Sequence, residues 1–157
     1  MPDCFISYSN NSNNDERFAK AIYQDLTAHG LSVFMAKISL KSGDRWTTKT
    51  LQALAQSTWV IFLASKAACA SPYVQQEIGG ALIAQKRLIP VVWEMAPSEL
   101  PGWINQIQAL DIRNQTRAQI QGRIIELAQQ MKATKDTGVL IGAALVAGFI
   151  WLVGNSD

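Results

Sequence analysis

The sequence predicts an α/β domain with a flavodoxin-like, five-stranded parallel sheet of order 2-1-3-4-5, helices on both faces, and a C-terminal hydrophobic transmembrane helix. Three observations predict it. Short β-prone runs alternate with helical periodicity five times; the crossovers are long enough to hold helices; and residues 138–154 contain no charged side chain. A length of 157 residues suits one domain with an appendage. The expected division is a domain over 1–133, a short linker over 134–137, a membrane helix over 138–154 and a tail over 155–157.

The first strand is expected at Cys4 to Ser9, running into the polar stretch Asn10 to Asn14, where side chains compete for the backbone. Asp15 is the expected N-cap of a helix carrying Phe18, Ile22 and Leu26, stopped by Gly30. Leu31 to Met35 form the second strand, and Ala36 to Arg45 a long polar loop before a helix with Trp46, Leu51 and Leu54. Trp59 to Leu63 is apolar throughout, as in a central strand covered on both faces. Ser71-Pro72 opens a helix reaching about Gln85, because proline loses nothing in a first helical turn. Leu88 to Trp93 follow as the fourth strand and Ala109 to Ile112 as a weak fifth. Between them Pro97, Pro101 and Gly102 break the chain, and Trp103 to Gln108 form a turn. Thr116 to Met131 close the domain as an amphipathic helix.

Composition narrows the function classes. A net charge of +2 and 17% charged residues leave no excess that would draw nucleic acid, and none is expected as a partner. Cys4 and Cys69 lie far apart and His29 is the single histidine, so no metal site or disulfide framework is predicted. Both thiols suit small apolar fillers in a reducing compartment. The N-terminus shows no basic region leading into an apolar run, so the domain is expected to stay in the cytoplasm.

The segment 138–154 spans about 25 Å as a helix, near the short limit for a bilayer core. It is apolar on every face, whereas a buried core helix usually keeps a polar stripe. Lys132, Lys135 and Asp136 precede it and only Asn155-Ser156-Asp157 follow, the basic residues on the domain side being in keeping with a cytoplasmic domain on a single-pass C-terminal anchor. Gly138 and Gly142, and Ala144 and Gly148, have the small-xxx-small spacing of helices that associate in lipid.

Phe5-Ile6-Ser7-Tyr8-Ser9, followed by Asp15 and Phe18-Ala19, resembles the opening strand and helix of Toll/interleukin-1 receptor (TIR) domains. Leu40-Lys41-Ser42-Gly43-Asp44-Arg45-Trp46 looks like their BB loop, and Ser71-Pro72-Tyr73-Val74-Gln75-Gln76-Glu77 is similar to the helix motif of their NAD-cleaving members. The motifs stand in order over roughly residues 3 to 130. The resemblance implies an NAD+ glycohydrolase, with or without cyclase side activity, that works only when TIR domains associate. It also implies a bacterial antiphage immune effector, here membrane-anchored. NAD+ is then substrate, and no cofactor is called for.

Breaking the bond from nicotinamide to ribose expels a neutral leaving group and leaves an oxocarbenium-like sugar, so a fixed negative charge matters more than a strong acid. The motif assigns that carboxylate to Glu77, whose competing role is that of an exposed helix residue. Tyr73, one turn earlier, would pack beside the ribose or nicotinamide; many relatives carry Trp there. Phe5, Tyr8 and Ser9 are candidate contacts to the nicotinamide riboside, with the core as the favoured alternative for Phe5 and an equal one for Tyr8. Lys41 and Arg45 could meet pyrophosphate or be solvated loop cations. Ile38, Leu40, Ser42, Gly43 and Asp44 are the expected oligomer interface. Ala36 stands where relatives often carry an acid. Two other functions fit the sequence: a non-catalytic scaffold or adaptor assembling filaments at a membrane, and an effector whose clustered helices disrupt the bilayer. Expected partners are NAD+, further copies of the chain through the TIR domain and the C-terminal helix, membrane lipid, and an upstream sensor encoded elsewhere.

Overall fold

The computed structural model describes residues 2–9, 13–38, 48–70, 86–101 and 107–137. Strand β1 (Cys4–Ser9) leads through helix α1 (Asn13–Ala28) to β2 (Val33–Ile38), then α2 (Thr48–Gln56), β3 (Trp59–Leu63), α3 (Lys66–Ala70), β4 (Arg87–Val92), a 3-10 turn (Pro97–Glu99), β5 (Leu110–Asp111) and α4 (Arg117–Thr137). The five strands form one sheet of order β2-β1-β3-β4-β5, and every pair is parallel. The expected order is therefore the observed one. The transmembrane segment 138–154 and the helix expected from Ser71 to Gln85 lie outside the described residues. Among the described residues no helix is long and apolar enough to cross a membrane.

Strand alternation divides the interior into two cores. Cys4, Ile6, Tyr8, Ile61, Leu63, Ile89, Val91 and Leu110 face α1 and α4, which contribute Ala19, Ile22 and Leu26 on one side and Ile124, Leu127, Ala128 and Met131 on the other. Both helical sets repeat every three or four residues, one stripe per helix. Phe5, Ala36, Val60, Phe62, Leu88 and Val92 face the opposite layer with Ala53 of α2 and Ala68 and Cys69 of α3.

Several elements differ from the sequence expectation. Helix α1 begins at Asn13, so Asp15 lies in its first turn and not at the N-cap, and it is buried there. Strand β2 starts and ends later than predicted. Leu31 closes the preceding turn, and Ala36 lies within the strand, opposite Ser7 and 4% exposed. The sequence placed Ala36 in a loop because alanine carries no β signal; burial against β1 decides the matter. Helix α3 was not foreseen, since Lys66-Ala67-Ala68-Cys69-Ala70 is too short for periodicity to register. Helix α4 continues through residues 134–137, the expected linker, and Lys135 Nζ pairs with Asp3 Oδ2 at 3.1 Å.

Local signals explain two termini. Gly30 has φ +84°, its N–H donates to the Thr27 carbonyl at 3.1 Å and that of Leu31 to Leu26 at 3.2 Å, a Schellman ending for α1. A side chain at Gly30 would also meet Lys132 Nζ. Gly30→Ala should therefore lower stability by about 1 kcal/mol in urea unfolding, and an unchanged midpoint would refute this account. At the start of α4 the Gln119 N–H donates to Thr116 Oγ1 at 3.2 Å while the Thr116 N–H donates to Gln119 Oε1 at 2.9 Å, a reciprocal cap.

Both thiols are buried and neither is in a disulfide. Burial pushes Cys4 far above the ordinary thiol range, and burial with the nearby Glu94 charge raises Cys69 to about 11. The folded state thus holds these protons at a pH where the unfolded chain releases them. Stability is fully present below about pH 9 and falls as pH rises through about 11, with Tyr8, also raised, acting in the same direction. Melting temperature measured from pH 7 to 11 should stay level and then drop, and Cys4→Ala should blunt the drop; a rising profile would contradict the assignment.

Candidate ligand crevice at the carboxyl edge of the sheet

Open parallel sheets bind ligands beyond the strand carboxyl ends, where the chain reverses its direction of winding. Here that point lies between β1 and β3. Strand β1 pairs with β3 only as far as Ser7↔Phe62, but with β2 as far as Ser9↔Ile38. Tyr8 and Ser9 therefore stand beyond the last β1–β3 pair, buried at the carboxyl edge of the sheet. Buried polar groups gather around it: Ser7, Ser9, Asp15 and Ser65 are each at most 2% exposed. The Ser7 Oγ has no hydrogen-bond partner among the described residues. Burial first, and then the Glu16 charge on α1, push the Tyr8 hydroxyl upward, so it stays protonated and can donate a hydrogen bond at neutral pH.

Helix α3 and the residues after β4 follow the carboxyl ends of β3 and β4, on the same edge of the sheet. Ser65 caps α3, its Oγ accepting the Ala68 N–H at 3.2 Å. Glu94 accepts the Lys66 N–H through Oε2 at 2.8 Å, tying the end of β4 to the start of α3. The chain continues from Ala70 into the segment that carries Tyr73 and Glu77. Sequence reasoning missed Glu16, Ser65 and Glu94. A serine directly after an apolar strand was an available capping signal, but the other two depend on tertiary contact.

Of the predicted site residues, Tyr8 and Ser9 end β1 with their side chains on opposite faces, Tyr8 within the core beneath α1 and α4, and Ile38 is the last residue of β2. Phe5 does not join them. It lies in the amino half of β1, fully buried, stacked on Phe34 with ring centroids 5.7 Å apart and planes at 15°. Its side chain packs between sheet and helices, so it is a core residue and not a ligand contact. Glu77, Tyr73, Lys41, Arg45, Leu40, Ser42, Gly43 and Asp44 lie outside the described residues. Among the described residues no group of three or more His, Cys, Asp or Glu could hold a metal ion.

At the edge of the site Arg113 chelates Asp111, with Nη2 to Oδ2 at 2.7 Å and Nε to Oδ1 at 2.9 Å. This hydrogen bonding to Arg113 lowers the Asp111 carboxyl below its usual range. The pair closes the turn after β5, where Asn114 takes the left-handed conformation with φ 57°.

A parallel doubly wound sheet of order 2-1-3-4-5 with helices on both faces defines a flavodoxin-like α/β class. The TIR domain family model matches residues 4–125, and the chain belongs to that family. A curated relative, the probable 2′ cyclic ADP-D-ribose synthase BdTIR of Brachypodium distachyon, is 28% identical over 82 residues, covering 52% of this chain and 37% of the relative. The chain thus matches well under half the length of that protein. Among solved structures, the TIR domains of the activated Roq1 resistosome recognising the pathogen effector XopQ superpose with a TM-score of 0.65 at 17% identity, covering 80% of this chain and 98% of theirs. The TIR domain of the Toll-related receptor TRR-2 of Hydra magnipapillata follows with a TM-score of 0.61 at 15% identity, covering 84% and 99%. A diflavin flavoprotein A3 from Nostoc sp. gives 0.56 at 15% identity, covering 86% and 97%. At these identities the structural likeness concerns the fold alone.

Proposed function

We propose that the protein is an NAD+ glycohydrolase, active when its TIR domains associate and anchored in a membrane by the apolar segment 138–154, serving as an immune effector that depletes NAD+. The observation that carries the activity is membership of the TIR family together with the buried polar residues Ser7 and Ser9 at the β1/β3 switch point. The name of the Brachypodium relative, a cyclic ADP-ribose synthase, supports the same substrate. The anchor rests on 17 uncharged residues directly after α4.

In the reaction the ribose–nicotinamide bond breaks, its electron pair leaves with the neutral nicotinamide ring, and the sugar becomes cationic. Glu77, assigned from its motif, would hold its charge against that cation. Tyr8, kept protonated, would donate to a ribose oxygen or the carboxamide. Water capturing the sugar yields ADP-ribose; capture by a group within the same molecule yields a cyclic product. Association between domains would complete the site, with the loop from Ile38 through Leu40, Ser42, Gly43 and Asp44 as the contact and Lys41 and Arg45 facing pyrophosphate.

The test is nicotinamide release from NAD+ by the full chain in vesicles, measured chromatographically, with and without crosslinker-forced clustering. Clustering should raise turnover at least tenfold. Folded, clustered protein that releases no nicotinamide would remove the enzymatic proposal.

A further inference from the structure

Helices α1 and α4 lie side by side on one face of the sheet and run in the same direction, since Asp25 meets Gln121 and Gly30 lies beside Lys132. Between them is an open cavity of about 490 Å³, within the size range of small-molecule sites. Its lining shares no residue with the β1/β3 switch point. The floor is apolar: Phe18 and Ile120 are each half-buried against the core, with Ala21 exposed beside them. Trp93 packs on the Phe18 ring, with centroids 4.9 Å apart and planes at 44°, so the ring is held in place before any ligand arrives.

The polar groups are sorted along this groove. Arg17 and Arg117, both exposed, stand toward the starts of the two helices. Arg17 lies over the Phe18 ring at 6.0 Å and donates to Asn14 Oδ1 at 3.1 Å, which uses one of its five donors. The Arg117 side chain has no hydrogen bond or ion pair among the described residues. Asp25 comes two turns after Arg17 along α1, about 12 Å away, with Gln24 next to it and Gln121 Nε2 at 3.4 Å. The other charges on the rim, Glu16 and Lys20, pair with each other at 3.5 Å. Two guanidiniums at one end and a carboxylate with two amides at the other are therefore what the groove offers a ligand.

We propose that the α1/α4 groove binds a nucleoside monophosphate, with its phosphate on Arg17 and Arg117, its sugar and base over Phe18, Ala21 and Ile120, and an exocyclic amine of the base toward Asp25 and Gln121. The planar forks of two arginines match the oxygens of a dianionic phosphate, and a neutral ligand would leave both guanidiniums unmatched. A simple aliphatic anion would satisfy the arginines and the floor but give Asp25 and the two glutamines nothing to bond. An extended nucleoside monophosphate covers the distance between the two ends and supplies an anion, a flat apolar body and polar hydrogens in that order. This ligand site is separate from Glu77 and from segment 138–154, so it does not depend on the activity or the anchor proposed above.

The experiment is equilibrium dialysis of radiolabelled AMP against the full chain in detergent micelles, with adenosine and inorganic phosphate as competitors. AMP should bind saturably at or below millimolar concentration, and each competitor should displace it only at concentrations about tenfold higher or more. Arg17→Gln and Arg117→Gln should each weaken AMP binding by about tenfold, the loss of one charge-assisted contact. Both side chains are exposed, so the melting temperature should not move. Arg117→Lys should keep part of the affinity. Phe18→Leu, which keeps the floor apolar but removes the ring, should weaken AMP and leave inorganic phosphate binding as in the parent. AMP binding that is unchanged in the Arg17→Gln/Arg117→Gln double variant places the nucleotide elsewhere and overturns the proposal. So does a folded parent chain with no saturable binding at millimolar AMP. Inorganic phosphate that competes as well as AMP itself removes the nucleoside from the site and overturns the ligand class.

Discussion

Glu77→Gln in the full, clustered chain should lower nicotinamide release by two to three orders of magnitude while leaving the melting temperature unchanged. Glutamine keeps the shape and hydrogen-bonding length of glutamate but removes its charge. Loss of a preorganised electrostatic partner of a transition state typically costs about 10²–10³ in rate, or about 2.7–4 kcal/mol. The ground-state substrate already carries a positive nicotinamide ring, so part of the loss will appear in KM. The larger part should fall on kcat, because positive charge reaches the sugar only as the bond breaks. Rates within a factor of three of the parent, in protein shown to be folded and clustered, would return Glu77 to the role of a surface residue. The non-catalytic scaffold would then account for the motifs, and assembly without NAD+ turnover would be its signature.

Phe62→Ala should destabilise the domain by about 3–5 kcal/mol, a large share of the about 5–15 kcal/mol that holds a domain of this kind together. Phe62 sits on the central strand β3, 1% exposed, in the core that faces α2 and α3. Its removal strips a ring from contact with neighbours on both layers and leaves a void that the rigid sheet cannot close. Urea unfolding should show a lower midpoint at unchanged slope, and the melting temperature should fall by about 10 °C or more. A loss under 1 kcal/mol would mean that the two layers repack freely, contrary to the packing described. The two substitutions separate readily: Glu77→Gln should remove activity from a stable fold, and Phe62→Ala should remove stability first.

How much of the site could be read in the chain is clearest at β1. Phe5-Ile6-Ser7-Tyr8-Ser9 marks a strand, and its alternation implies two faces, but not how far each neighbour pairs along it. Because β3 pairs only as far as Ser7, Tyr8 and Ser9 lie beyond the last β1–β3 pair, whereas Phe5 is paired on both sides and fully enclosed. An aromatic ring carries no sequence mark telling a core position from a ligand contact. Helix α3 is similar: its five residues are held by the Ser65 cap and by Glu94, which is 28 positions away from Lys66. A contact of that range leaves no local pattern.

The order of the strands, the two apolar faces of the sheet, the helix end at Gly30 and the helix start at Thr116 were determined by sequence alone, because periodicity, capping and left-handed glycine act within a few residues. So too was the uncharged run at 138–154, a matter of composition. Tertiary structure decided how far β1 pairs with each neighbour, that Ala36 and Phe5 belong to the core, and that Lys86, Arg87, Lys132 and Lys135 share one edge. The reason is reach. Asp3 and Lys135 meet across 132 positions, and only the parallel winding of the chain, which returns every helix to the same edge of the sheet, brings such residues together.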